Sequence, residues 1–116
     1  MSDRINKINT IKREIKNKTN LIEVIGISGS AASYFLAQAL TEASRPFLII
    51  LPSPEETREF YRDLIFFLPE QAKKIFLFPA YDISPLAGLS PPKELISQRV
   101  GALYALSTSQ DAIVVT

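Results

Sequence analysis

The sequence predicts an α/β domain: a parallel sheet flanked by helices, with an extra helix at the N-terminus. Three observations carry that prediction. Apolar runs of four or five residues alternate with helix-length amphipathic stretches, and repeated strand–helix–strand crossovers of this length build parallel sheets. The run Phe47–Leu51, F-L-I-I-L, is apolar without a break, as suits a parallel strand covered on both faces. A short apolar run also leads through a glycine turn, Gly26 to Ser30, into a helical pattern. Phosphate-binding loops occupy that context.

In chain order, residues 3–18 read as an amphipathic helix. Ile5, Ile8, Ile11 and Ile15 recur at three- and four-residue spacing and make a narrow apolar stripe. The plainer reading docks these isoleucines on the body and leaves the basic side chains in water. The sharper one makes Lys12, Arg13 and Lys16 part of a basic arm for DNA or a partner. Leu21–Ile25, L-I-E-V-I, reads as a buried strand. From Ala31 the pattern turns helical, with Phe35, Leu36, Ala39, Leu40 and Ala43 on one side, and Arg45-Pro46 ends it. Phe47–Leu51 is the second strand. Ser53 is then an N-cap, Pro54 falls at the first helical position, and Glu56 completes a capping box. That helix carries Phe60, Tyr61, Leu64, Ile65, Phe67 and Leu68 to Pro69. Ile75–Phe78 is the third strand. A proline-broken loop, Pro79 to Pro92, leads to a helix over Glu94–Leu106 with Ile96, Val100, Leu103 and Tyr104 on one face. Ala112–Thr116 is the fourth strand.

The 116 residues suit one domain or a piece of a larger one. Apolar residues make up 47% and charged residues 22%, ordinary values for a packed core. The net charge of +1 hides an asymmetry. Residues 1–18 hold six basic side chains (Arg4, Lys7, Lys12, Arg13, Lys16, Lys18) against Asp3 and Glu14, so the body is mildly acidic. The organisation is therefore a basic amphipathic helix over 1–19 and a truncated α/β domain over 20–116. With no Cys and no His, disulfides, thiolate nucleophiles, imidazole bases and the usual zinc sets are excluded. No run reaches the roughly 18 apolar residues of a spanning helix, and no signal peptide pattern precedes the body. A cytoplasmic protein with no membrane partner and no bound metal is the simplest account. The sequence stops inside an apolar strand, and four strands fall short of a full nucleotide-binding domain. The N-terminal fragment of a larger protein is expected.

A working phosphate loop needs G-x-x-x-x-G-K-[ST]. The eight positions here are Gly26, Ile27, Ser28, Gly29, Ser30, Ala31, Ala32 and Ser33. The first glycine and the final serine stand. The second glycine has become Ala31 and the lysine has become Ala32. Loss of the lysine removes a charge-assisted contact worth about 1.5–3 kcal/mol, and the cation that offsets charge on a transferring phosphoryl group. A helix N-terminus would still favour an anion. No strand here ends in the acidic residue that would hold magnesium. Ser28, Ser30 and Ser33 have no base nearby and are poor nucleophiles. Gly26, Gly29, Ser30, Ala31, Ala32 and Ser33 thus read as a vestigial phosphate loop. Neither catalysis nor nucleotide binding is expected of it.

The loop G-I-S-G-S-A-A-S, the strand end L-F-P, Tyr81-Asp82, Pro85, Leu89-Ser90-Pro91, and Q-R-V-G-A-L-Y-A-L before I-V-V-T resemble the N-terminus of the bacterial transcription-repair coupling factor family, Mfd. That region is itself similar to the first domain, domain 1a, of the excision-repair protein UvrB, a partial P-loop NTPase-like, RecA-like unit. The resemblance covers about Ile25 to Thr116, with Phe78–Pro91 and Arg99–Leu106 its most specific parts. Residues 1–18 carry no signature of the family. The resemblance implies an ATP-dependent DNA translocase that displaces stalled RNA polymerase from double-stranded DNA and recruits UvrA in nucleotide excision repair. It puts ATP and magnesium in a C-terminal motor, and the UvrA-contacting domain after Thr116. This chain would be a non-catalytic scaffold with a decayed nucleotide site and no cofactor of its own.

Tyr81 and Asp82 follow the third strand at the carboxyl end of the sheet, where open parallel sheets bind ligands. In UvrB-like proteins this loop faces DNA, so the resemblance offers both as DNA contacts beside Lys12, Arg13 and Lys16. The alternative is an ordered surface loop in which Tyr81 packs and Asp82 caps a turn. Arg99 lies away from Ile96 and Val100 and reads as a surface residue. Two rival functions stay open: an ATP-binding fragment of a helicase or other P-loop NTPase, and a DNA-binding module using the basic first helix.

Overall fold

The computed structural model describes residues 2–17, 21–41, 44–81, 88 and 90–116, with side chains from Lys7 onward. The described elements are α1 (Ser2–Lys16), α2 (Ser30–Leu40), β1 (Phe47–Ile49), α3 (Pro54–Phe67), a 3-10 turn (Pro69–Lys74), β2 (Ile75–Leu77), α4 (Lys93–Thr108) and β3 (Ile113–Val115). The chain is α/β. Its three-stranded sheet runs β1-β3-β2 and is parallel throughout. Phe47 and Ile75 flank Ile113, Leu48 and Phe76 flank Val114, and Ile49 and Leu77 flank Val115. Backbone pairing runs past the strand ends. Phe47 N–H donates to Ala112 at 2.9 Å, Leu51 N–H to Thr116 at 2.7 Å, Thr116 N–H to Ile49 at 2.8 Å, and Phe78 N–H to Val115 at 2.8 Å.

Side chains on successive strand residues point to opposite faces, so the sheet has two covers. On one face Ile75, Ile113 and Val115 join Ala37 and Leu40 of α2 and Leu64 and Leu68 at the end of α3 in the buried cluster. Tyr34 of α2 meets Phe67 of α3 edge-on, ring centroids 5.2 Å apart. The other face carries Phe76, Phe78 and the buried Val114, and α4 lies against it through β2. On that side Leu48 of β1 and Ile50 just past its end stay exposed. α1 packs on α2, with Ile8, Ile11 and Ile15 half-buried. The docked reading of the isoleucine stripe holds for these three. Ile5 has no described side chain.

Helix α3 starts as its residues dictate. Ser53 is extended (φ −146°, ψ 157°), its Oγ accepts the Glu56 N–H at 3.2 Å, and Pro54 takes the first turn. The capping box is altered in one detail. Ser53 Oγ–H donates to Glu56 Oε2 at 2.9 Å, in place of the usual bond from the cap residue's own N–H. Thr57 Oγ1–H, buried, donates to the Ser53 carbonyl at 2.8 Å.

Three expectations are corrected. Leu21–Ile25 forms no strand, and Leu21 and Ile25 are 84% and 83% exposed. An apolar run becomes a strand only when a neighbour supplies its ladder, and the described strands pair among themselves. The sheet therefore has three described strands, not four. Second, α2 begins at Ser30, one residue before the predicted start, with Gly29 at its N-cap. Third, α4 presents its other face to the sheet. Ala102 and Ala105 are buried, whereas Ile96, Val100, Leu103 and Tyr104 are exposed. Small side chains let the helix backbone approach the strands closely, and the large ones are left outside.

Candidate functional site

The glycine turn is built by backbone sign, not by packing. Gly26 and Gly29 hold φ of 83° and 60°, conformations that glycine adopts at little cost. A Cβ at either would meet nothing within 4 Å. Ser28, Gly29, Ser30 and Ala31 are exposed and Ala32 is half-buried. The turn is thus open to solvent around the start of α2, and Ala32 N–H is already bonded to the Gly29 carbonyl at 3.2 Å.

Ser33 lies apart from this open edge. It is fully buried, and its Oγ–H donates to the Ser30 carbonyl at 2.9 Å. In a working loop this hydroxyl binds magnesium. Here it is turned back into its own helix and removed from solvent. Beside it, Ala31 and Ala32 supply neither the second glycine nor the cation. Among the described residues no cluster of three acidic, His or Cys side chains gathers to hold a metal ion.

The basic candidates lie elsewhere. Arg13 and Lys16 are exposed on the last turns of α1, where cations complement the helix dipole; Lys12 is half-buried beside them. Arg45 reaches the end of the same helix and donates to the Ile15 carbonyl. Tyr81 sits at the exit of β2, 52% exposed. Asp82, offered with it, lies outside the described residues, as do Pro85 and Leu89.

Arg99 is the residue the sequence reading missed. Its guanidinium lies 4.1 Å from the centroid of Phe78 and 4.1 Å from that of Tyr81. One Nη1–H donates to the Pro79 carbonyl at 2.6 Å. The spacing of Leu95, Arg99, Ala102 and Ala105 was a usable signal, because it puts Arg99 on the inner face of α4. The same exit segment walls a cleft of about 250 Å³ at the carboxyl ends of the strands, lined in part by Pro52, Ser53, Arg58, Leu77, Pro79 and Thr116.

At the opposite end of β3, Asp111 accepts from Ser109 Oγ at 2.9 Å and pairs with Lys74. The Lys74 ammonium and then the Ser109 hydroxyl hold its carboxyl below the usual aspartate range. These contacts fasten the 3-10 turn to the entrance of the middle strand.

No family model matches the chain. It is 30% identical over 82 residues to the transcription-repair-coupling factor of Rickettsia bellii, a match covering 70% of this chain and 7% of that protein. It is 23% identical over 125 residues to the UvrABC system protein B of Leptospira biflexa, covering 98% of this chain and 19% of the relative. The chain is UvrB-like. A third relative, the UvrABC system protein B of Fervidobacterium nodosum, is 24% identical over 127 residues, covering 99% and 19%. The α/β architecture with a parallel sheet agrees with a UvrB domain 1a-like fold. The UvrB-like match takes in nearly every residue, so α1 falls inside it although residues 1–18 carry no recognisable motif of the family. The chain spans less than a fifth of the length of these relatives. No described helix is long and apolar enough to cross a membrane.

Proposed function

We propose that this chain is a non-catalytic scaffold, the first part of the UvrB-like module of a transcription-repair coupling factor. In this reading the whole protein is a cytoplasmic, ATP-dependent DNA translocase that displaces stalled RNA polymerase and recruits UvrA for nucleotide excision repair. ATP and magnesium belong to its distant motor. The UvrA contact belongs to a domain following Thr116. The role of the present residues is to carry that domain on a rigid α/β body.

The observation that carries this reading is Ser33, whose hydroxyl is buried and bonded to Ser30 beside an alanine at the lysine position. A loop that still served nucleotide would keep that hydroxyl facing its ligand. The test is a titration of the chain with Mg-ATP followed by calorimetry. No binding is expected in the micromolar range. Micromolar affinity that disappears on Ser33→Ala or Gly29→Val would refute the scaffold reading and favour the nucleotide-binding one. A second arm uses the open space of the turn. The double change Ala31→Gly with Ala32→Lys restores the loop's glycine and cation, and is expected to give weak, millimolar phosphate binding where the parent gives none.

A further inference from the structure

We propose that Arg99 is a positioning residue that clasps the exit of β2 onto α4 and thereby sets one wall of the cleft at the carboxyl ends of the strands. The evidence is three contacts converging on one side chain from a four-residue segment. Phe78 and Tyr81 offer ring faces at 4.1 Å each, and Pro79, between them in sequence, offers its carbonyl at 2.6 Å. A guanidinium suits this work because it is planar, permanently charged and weakly hydrated. It can lie over aromatic faces while its edge N–H groups donate.

Among the described residues the segment it grips has few other ties. Pro79 has no N–H to add to a ladder. The last ladder bond on this side is Phe78 N–H to Val115. Ala80 and Tyr81 are exposed. From Phe78 to Tyr81, then, Arg99 supplies the side-chain contacts described for the backbone's exit from β2. Pro79 and Ala80 line the cleft together with Ser53 and Arg58 at the start of α3, so the side chain that fixes Pro79 fixes part of its wall. This proposal rests on the α4–β2 geometry alone and is independent of the scaffold reading.

The clasp predicts a spectroscopic signature and a failure of the conservative variant. In the full chain, NMR should show the Arg99 side-chain protons shifted upfield by the two rings. Tyr81→Leu should remove a large part of that shift and leave the rest to Phe78. Arg99→Ala should raise the rate of proteinase K cleavage at Ala80 and Tyr81 by about fivefold to thirtyfold, the scale of two cation–aromatic contacts at a partly exposed site. Arg99→Lys should fail to restore resistance, because an ammonium lacks the planar fork. Far-UV circular dichroism should be unchanged in all three variants. An Arg99 resonance at its unshifted position, or equal cleavage of parent and Arg99→Ala, would overturn the proposal. Full rescue by lysine would overturn the planar-stacking argument as well. Should Arg99→Ala fail to fold, Tyr81→Leu and the parent's own resonance still decide the matter.

Discussion

At the scale of single residues, two side chains show how position changes the meaning of a residue type. Ser33 keeps the place of a magnesium-binding serine but spends its hydroxyl inside its own helix. Arg99 has the composition of a solvated helix residue but spends its charge on two rings and a carbonyl. Spacing places Arg99 on the inner face of α4, but neither side chain's partners can be read from type and spacing alone, since both depend on what the third dimension brings near. Asp111 gives a residue-scale prediction with a definite sign. Lys74 and Ser109 lower its folded pKa, so the native state holds fewer protons there than the unfolded chain. The stabilisation is fully present above the ordinary aspartate pKa and is lost as pH falls through it toward the lower folded value. Melting temperatures of the parent and Asp111→Asn should therefore differ most near neutral pH and converge below the ordinary carboxylate range. A constant difference down to that pH would remove the Lys74 pair from the account.

At the scale of elements, α4 shows which patterns the sequence exposes and which it hides. Its extent is clear from periodicity, but its inner face is Ala102 and Ala105, not the large apolar residues. A hydrophobic stripe says which side is greasy. It does not say whether a sheet prefers close approach by alanine or contact with leucine. The prediction is unequal tolerance. Val100→Lys and Leu103→Lys should change stability by no more than about 0.5 kcal/mol, as exposed substitutions do. Ala102→Leu, at a fully buried site, should cost about 1–3 kcal/mol through overpacking. Urea unfolding measures both, and the reverse order would mean that the helix is rotated from its position here. α3 is the contrasting case. Its cap is local, written within Ser53, Pro54 and Glu56, and the chain folds it nearly as read. Leu21–Ile25 is the opposite extreme. Its strand character depends wholly on a partner strand, and no residue within the segment reveals that the partner is lacking among the described residues. The turn that follows was legible as a bend from its glycines and as a damaged loop from Ala31 and Ala32. The burial of Ser33 was not legible, because it is set by how α2 packs.

At the scale of the whole molecule, the strand order decides what holds together. β3 is the middle strand, and β1 and β2 touch only through it. Removal of residues 112–116 should therefore abolish the sheet altogether, not merely shorten it. The shortened chain should retain some helical circular dichroism but lose its cooperative thermal transition. A sharp melt persisting in that variant would show that α2 and α3 form a stable body without the sheet. The same arrangement has a consequence for how the protein is made. Phe47 and Ile75 leave the ribosome well before Ile113, the residue both of them must pair with. Until then the nascent chain carries two apolar strands without the strand that both pair with, and long-range closures of this kind are slow and prone to association. Synthesis of this chain thus includes a waiting period, and it is the emergence of β3 that ends it.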